Sequence, residues 1–311
     1  MKKTFLYLCF GSLVVAICAL TSCTKEVQID IPGYKEQLVV DGFIETDLPA
    51  IVLLSKTNNI YAGTNIQNYI DGFVTGATVV VSNGSLTDTL LEVCTDNLPP
   101  GTEESVAAFF GLPVEQIVNL HLCFYVSDQL VGEVGKTYNL TIQNEGKTYT
   151  SQTKILAPRA LDSLFWREEV DVPGYGFSWA KLSDPPATGN AYRWEVKYTT
   201  DVPFSKPFGP FSDDRFYNGL TFEFAYENPM SFSDPTLAPE VRGYYKQGDT
   251  IVVKFSTLGQ KEYQFYDKKY NQIYSGGNPF ATPVNIPSNI VGGALGIWAG
   301  FSPTFDTLIC Q

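Results

Sequence analysis

The chain of 311 residues holds one histidine, His121, and that count narrows the chemistry at once. Hydrolysis through a serine or cysteine nucleophile ordinarily needs a neighbouring base, most often histidine. His121 sits at the head of the apolar run HLCFYV and reads as a core or edge residue rather than a base. No HExxH, CxxC, GxSxG or GxxxxGK[ST] occurs, so the zinc-protease, thiol-redox, serine-esterase and P-loop patterns are all missing. Paired carboxylates remain at Glu103-Glu104, Glu168-Glu169, Asp213-Asp214 and Glu223/Glu227. A glycosidase needs two such groups, but nothing in these spacings separates an acid from its base, and solvated acids are the plainer reading. No catalytic residue is assigned, and the expectation is a protein that is not an enzyme.

The segment FSDDRFYNGL is the densest candidate for binding. Asp213, Asp214 and Asn218 offer oxygen ligands of the kind calcium takes, although their spacing departs from an EF-hand loop; the competing reading is a capped turn before a strand. Apart from this calcium reading no cofactor is expected. Around the segment, Pro203–Pro235 carries Phe204, Phe208, Phe211, Phe216, Tyr217, Phe222, Phe224, Tyr226 and Phe232. Aromatic side chains bury large areas with little rotamer entropy and suit recognition surfaces. Phe211, Asp213, Asp214, Arg215, Tyr217 and Asn218 are therefore the candidate partner- or ligand-binding residues. The period-two spacing of Phe222, Phe224 and Tyr226 instead reads as ordinary strand packing.

The elements that must hold these residues are mostly strands. QLVVDGFIETDLPAIVLLSKT reads as two β-runs, VTGATVVVSNG and TDTLLEV as a hairpin turned at Asn83-Gly84, and GEVGKTYNLTIQNEGKTYTSQTKI as a further alternating pair. Between Leu98 and Asn119 a Thr102 cap, Glu103 and Glu104 in a first turn, and Pro113 opening a second helix predict a short helical insertion near 102–118. Leu258–Tyr274 has apolar residues at mixed three and four spacing and predicts one more helix, near 258–274, stopped by Gly276-Gly277. The glycine-rich end reads as a closing strand with glycines where backbones crowd. The fold class is mainly β: two β-sandwich domains over 37–157 and 158–311, divided in the linker APRALD, and VTGATVVVSNG resembles the start of Ig-like or transthyretin-like modules.

Composition sets further bounds. The formal net charge of −12 offers no basic face for nucleic acid. Of six cysteines, Cys9, Cys18 and Cys23 belong to the first residues, leaving Cys94, Cys123 and Cys310 for the folded part. Two readings stand: a Cys94–Cys123 disulfide with Cys310 left over, or three buried thiols packing as small apolar side chains.

The N-terminus decides where the chain is expected to work. Lys2-Lys3 and the apolar run from Phe5 to Leu20 make a secretory signal too short for a comfortable span. Leu20-Thr21-Ser22-Cys23 resembles the lipobox of bacterial lipoproteins, in which the cysteine sulfur takes a diacylglycerol and cleavage frees its amine for a further acyl chain. Several chains give firm anchoring because each buried methylene contributes about 0.8 kcal/mol. The expected organisation is a signal peptide over 1–22 and a lipidated tether over 23–36. Loss of Lys2 and Lys3 with the signal moves the net charge from −12 to −14. Lys25-Glu26 resembles a surface-export tag of Bacteroidetes lipoproteins, with a plain solvated linker as the alternative.

The order lipobox, QLVVDGFIE, VTGATVVVSNG, GEVGKTYNLTIQNEGKTYTSQT, LDSLFW, FSDDRFYNGLTFEF, GDTIVVKFSTL and NPFATPVNIPSNIVGGALGIWAGFS resembles the DUF4249 lipoproteins of Bacteroidetes across almost the whole mature chain. The resemblance implies an outer-membrane, cell-surface lipoprotein held to the membrane by its lipid anchor. It also implies a TonB-dependent transporter as partner, the chain serving as accessory binding subunit for a nutrient. The alternative is an adhesin or envelope structural protein of Ig-like modules, with a carbohydrate-active enzyme a third reading. The helical insertion has no counterpart in the resemblance.

Overall fold

Alternation of apolar and polar residues sets the strands. In β1 (Leu38–Glu45) Leu38, Val40 and Ile44 are buried, and β2 (Pro49–Lys56) repeats the pattern with Ala50, Val52 and Leu54, as a side-chain period of two requires. The computed structural model describes residues 35–57, 72–110, 112–117, 119–200, 203–275 and 285–311. The expected signal peptide, Cys23, most of the tether and the Gly276-Gly277 stop lie outside the described residues.

The fold is mainly β. The first half continues with β3 (Thr78–Ser82), β4 (Thr87–Thr89), β5 (Leu91–Cys94), β6 (Cys123–Val131), β7 (Thr137–Asn144) and β8 (Lys147–Lys154). The second holds β9 (Ser163–Glu168), β10 (Tyr175–Ser183), β11 (Ala191–Tyr198), β12 (Phe211–Asp213), β13 (Thr221–Tyr226), β14 (Tyr245–Lys246), β15 (Thr250–Leu258) and β16 (Leu295–Ile309). They form an eight-stranded sheet, β12-β11-β15-β16-β1-β2-β6-β5, and two four-stranded sheets, β4-β3-β7-β8 and β13-β10-β14 with β9 on β10. One small sheet closes a core with β1, β2 and β6 that holds Val40, Val52, Val81, Tyr125, Leu140 and Trp298. The other closes a core with β11 and β15 around Trp194, Val253, Phe255, Tyr245 and Leu182.

The expected division near residue 157 separates these two small sheets but not the large one. β16 runs parallel to β1, Val39 opposite Leu295 through Glu45 opposite Phe301, and its second half pairs antiparallel with β15. A strand of 15 residues reaches about 50 Å, long enough to serve both halves. Close approach explains its glycines: a Cβ on Gly296 would lie 1.9 Å from the Val40 carbonyl oxygen, at a φ of +112°. The edge of β16 near Trp298 lacks a strand neighbour; the Asn289 side chain substitutes, accepting from Trp298 N at 2.9 Å and donating to its carbonyl at 2.8 Å.

Other expectations shift in detail. TDTLLEV is not one strand: buried Leu90 is the crossing point at which β4 in a small sheet gives way to β5 in the large one. The insertion forms α1 (Glu103–Phe110) and α2 (Val114–Ile117). Thr102 does not cap α1 with its side chain; the hydroxyl donates to Pro99 O at 2.7 Å, while Glu103 accepts from Gly101 N. Phe109 and Phe110 pack on Phe124 of β6. The later helix, α3 (Gln260–Tyr274), lays Tyr263, Phe265 and Tyr266 on Ile297, Ala299 and Phe301, the residues of β16 that alternate with Trp298. Cys94 and Cys123 face each other across β5 and β6 and are joined as a disulfide. Cys310 is free and buried, and burial, with Asp249 nearby, pushes its thiol up to about 12.

Two substitutions separate backbone strain from steric closure. Gly293, at φ +92° with nothing within 4 Å of where a Cβ would stand, should lose about 1–2 kcal/mol on change to Ala, the cost of an unfavourable φ alone. Gly296→Ala adds the collision with Val40 and should lose clearly more, read as a larger drop in the urea midpoint.

Candidate functional site

β11 alternates two chemistries. Tyr192, Trp194 and Val196 point into the second core, so Arg193 and Glu195 must share the opposite face. Pairing places Arg193 beside Ser256 and Glu195 beside Lys254 of β15, while Glu45 of β1 is opposite Phe301 of β16. Five charges meet there. Glu45 lies 3.2 Å from Arg193 and 2.7 Å from Lys254 through its two oxygens; Glu195 lies 2.8 Å from Arg193 and 3.2 Å from Lys206. The Arg193–Glu195 approach is an electrostatic contact and not an aligned hydrogen bond. The Arg193 guanidinium lies over the Phe301 ring at 3.8 Å, and its buried Nε meets no acceptor.

Side-chain exposure is 4% for Glu45, 6% for Glu195, 10% for Arg193 and 12% for Lys254, against 37% for Lys206. Burying such charges costs several kcal/mol per ion unless each is paired, and here two carboxylates are shared among three cations. The surplus cation and the solvent access coincide at Lys206. Burial opposes ionisation of Glu195, but Arg193, Lys206 and Lys254 outweigh it and hold the carboxyl at about 2. Glu195 is thereby held opposite to a glycosidase acid, whose role needs a raised pKa.

These charges line one end of a cleft of about 390 Å³ between the sheet, α3 and α1, walled by Phe43, Phe109, Phe211, Tyr266 and Tyr270. Asp41 and Lys269, 2.8 Å apart, add a balanced pair at the rim. Burial raises the phenols of Tyr266 and Tyr270 above their ordinary range, so both walls stay neutral at physiological pH. The site can hold an anionic group at its cationic end and an apolar or ring-bearing body along the aromatic wall.

The residues singled out from sequence divide among three places. Phe211 lines this cleft, stacked on Tyr266 with ring centroids 4.8 Å apart. Asp213, Asp214, Arg215 and Asn218 line a separate groove of about 820 Å³ beside Tyr263, Gln264 and Asp267 of α3. Tyr217 packs on Phe222, and its hydroxyl donates to Ser212. The calcium reading does not fit this groove. Asp214 accepts from Gly189 N, Asn190 N and the Asn190 side chain, while both oxygens of Asp213 face Arg215 Nε at 2.7–2.8 Å. The Arg215 guanidinium occupies the oxygens of Asp213, and the Asp214 carboxylate is committed to a turn.

A family model described as a domain of unknown function, DUF4249, matches residues 24–304. The chain belongs to the DUF4249 family. No curated protein matches it. The DUF4249 match spans every charge of the cleft from Asp41 to Lys269 as well as the helical insertion, for which the sequence offered no counterpart.

Sequence reading missed Glu45, Arg193, Glu195, Lys206 and Lys254 of this DUF4249 chain. Arg-x-Glu at period two on a strand is the pattern of a wet face; only the pairing of β11 with β15 and the cover of α3 turn it inward. The usable signal was the flanking sequence, since Trp194 and Val196 mark a strand whose other face is fully buried.

The network predicts unequal costs. Arg193→Ala strands two carboxylates and should cost about 3–5 kcal/mol, whereas Lys206→Ala, at the exposed end, should cost under about 1 kcal/mol; chemical denaturation of both variants checks the contrast. Glu195, with its carboxyl held at about 2 instead of the ordinary 4.5, contributes stability that is present above pH 4.5 and lost as pH falls toward 2. The stability gap between wild type and Glu195→Gln should therefore be constant above pH 5 and shrink by roughly 3 kcal/mol on acidification through that window.

Proposed function

We propose that the protein is a lipid-anchored outer-membrane lipoprotein, displayed on the cell surface, that serves as the accessory binding subunit of a TonB-dependent nutrient transporter. The observation that carries the binding role is the aromatic-walled cleft with its paired charges: it offers a cationic end and an apolar wall. The nutrient it suits carries an anionic group on an apolar or ring-bearing body. Support for the anchor is the signal-like N-terminus ending at Cys23, with the family match starting one residue beyond it. No helix among the described residues is long and apolar enough to cross a membrane, so in this reading attachment rests on acyl chains at Cys23. Their combined burial exceeds what one chain supplies.

Anchor and partnership are tested separately. Cys23→Ala should move the protein out of the membrane fraction, and external protease should remove the wild-type protein from intact cells. A variant still partitioning with membranes sinks the anchor, and full protection of the wild type sinks surface display. A C-terminally tagged chain, recovered from gently solubilised outer membranes, should bring a transporter-sized β-barrel protein with it. Recovery alone, under conditions that preserve known transporter complexes, overturns the accessory role.

A further inference from the structure

The helical insertion leaves and rejoins the large sheet at one corner. Cys94 ends β5 and Cys123 begins β6, directly opposed, with Cα atoms 4.1 Å apart and sulfurs bonded. This mouth is also held without the sulfurs. Thr95 N donates to Leu122 O at 3.0 Å, the Thr95 hydroxyl donates to Leu120 O, and Leu122 N donates to that hydroxyl at 3.1 Å. With the S–S bond open, these bonds and the strand pairing still keep Cys94 and Cys123 adjacent.

His121 stands two residues before Cys123 and turns a nitrogen to each side. Its Nε2 is 3.5 Å from Cys123 Sγ, and its Nδ1 is 3.3 Å from Asp96 Oδ2. The Cys94, Cys123 and His121 ligand atoms all lie within 4.8 Å of one another. Around a tetrahedral zinc ion, with Zn–S about 2.3 Å and Zn–N about 2.0 Å, sulfur and nitrogen ligands stand roughly 3.6 Å apart and two sulfurs roughly 3.8 Å apart. The Cys123 sulfur–nitrogen spacing is thus already in place, Cys94 Sγ stands within 4.8 Å of the ring, and the sulfur–sulfur spacing is that of two thiols in contact once the bond between them is broken. A carboxylate on the far nitrogen of the ring is the arrangement that fixes a metal-bound histidine. The competing role is a plain staple beside an exposed His121–Asp96 contact, and exposed contacts of that kind add little stability.

We propose that reduction of the Cys94–Cys123 disulfide converts this corner into a Cys2His site for a zinc-like divalent cation, with Asp96 orienting His121 and water in the fourth position. A dithiol reductant supplies two electrons and two protons; it leaves as a cyclic disulfide, and Cys94 and Cys123 become thiols. Metal binding then releases both thiol protons as the thiolates coordinate. Thiolate and imidazole favour zinc over calcium or magnesium. His121, with 61% of its side chain exposed, gives the ion a route in. The cation takes over the disulfide's place in closing the insertion, so the site couples redox state to metal occupancy.

The test uses the full-length chain in detergent, reduced with dithiothreitol, desalted without oxygen and titrated with Co2+ alone. The reduced protein should bind one equivalent with thiolate-to-cobalt charge-transfer absorption, which Zn2+ then bleaches; the oxidised protein should show none. His121→Ala and Asp96→Ala, which leave the disulfide and its folding untouched, should each weaken binding tenfold or more, and Cys94→Ser should abolish the charge-transfer band. Absence of that band in the reduced wild type, or unchanged affinity in His121→Ala, overturns the proposal even if Cys94→Ser fails to fold.

Discussion

The parallel pairing of β16 with β1 is the constraint on which the remaining architecture rests. It joins the last described strand to the first, and through β15 and β2 it fuses what would otherwise be two sandwiches into one sheet with two cores. Parallel strands need long connections, and here the connection is almost the whole fold. Trp298 is the structural anchor of this pairing. Its side chain is buried in the first core, its indole N–H donates to Tyr138 O at 3.0 Å, and its own backbone is completed by Asn289. Gly42 gives it room, since a Cβ there would lie 3.0 Å from the indole ring.

That pairing also creates the electrostatics of the cleft. Glu45 and Arg193 are 148 positions apart in the chain and meet only because β1, β16, β15 and β11 are consecutive in one sheet. In the interior an ion pair is retained where every charge finds a partner, because each unpaired one costs far more than a pair gains. The cluster meets that condition with its last cation at the solvent edge. The same residues can thus hold the sheet and present a positive end to a ligand in a protein that is acidic overall.

Much of the fold was legible in the amino-acid pattern. Period-two burial located nearly every strand, Asn83-Gly84 marked its hairpin, and Gln260–Tyr274 falls two residues inside the expected helix. The failures have local physical causes. The Thr102 hydroxyl donates to Pro99 O instead of accepting from the helix N–H groups it was expected to cap, and at buried Leu90 the strand passes from one sheet to the other. The Pro203–Pro235 aromatics divide: Phe222, Phe224 and Tyr226 pack toward the second core as their period of two indicated, Phe211 meets α3, and Phe216, in a 3-10 turn, is exposed.

The sequence by itself determined what depends on neighbours a few residues away: the strand and helix periods and the absence of the HExxH, CxxC, GxSxG and P-loop patterns. Those follow from side-chain type and spacing. Tertiary structure alone decided that Cys94 meets Cys123, that Arg193 and Glu195 face a covered cleft instead of water, and that Asp213 and Asp214 are spent on Arg215 and a turn. Each of these turns on which strands are adjacent and what covers them. Hydrogen bonding between distant segments sets that adjacency, and alternation along a single strand records only that it has two faces, not what each face meets.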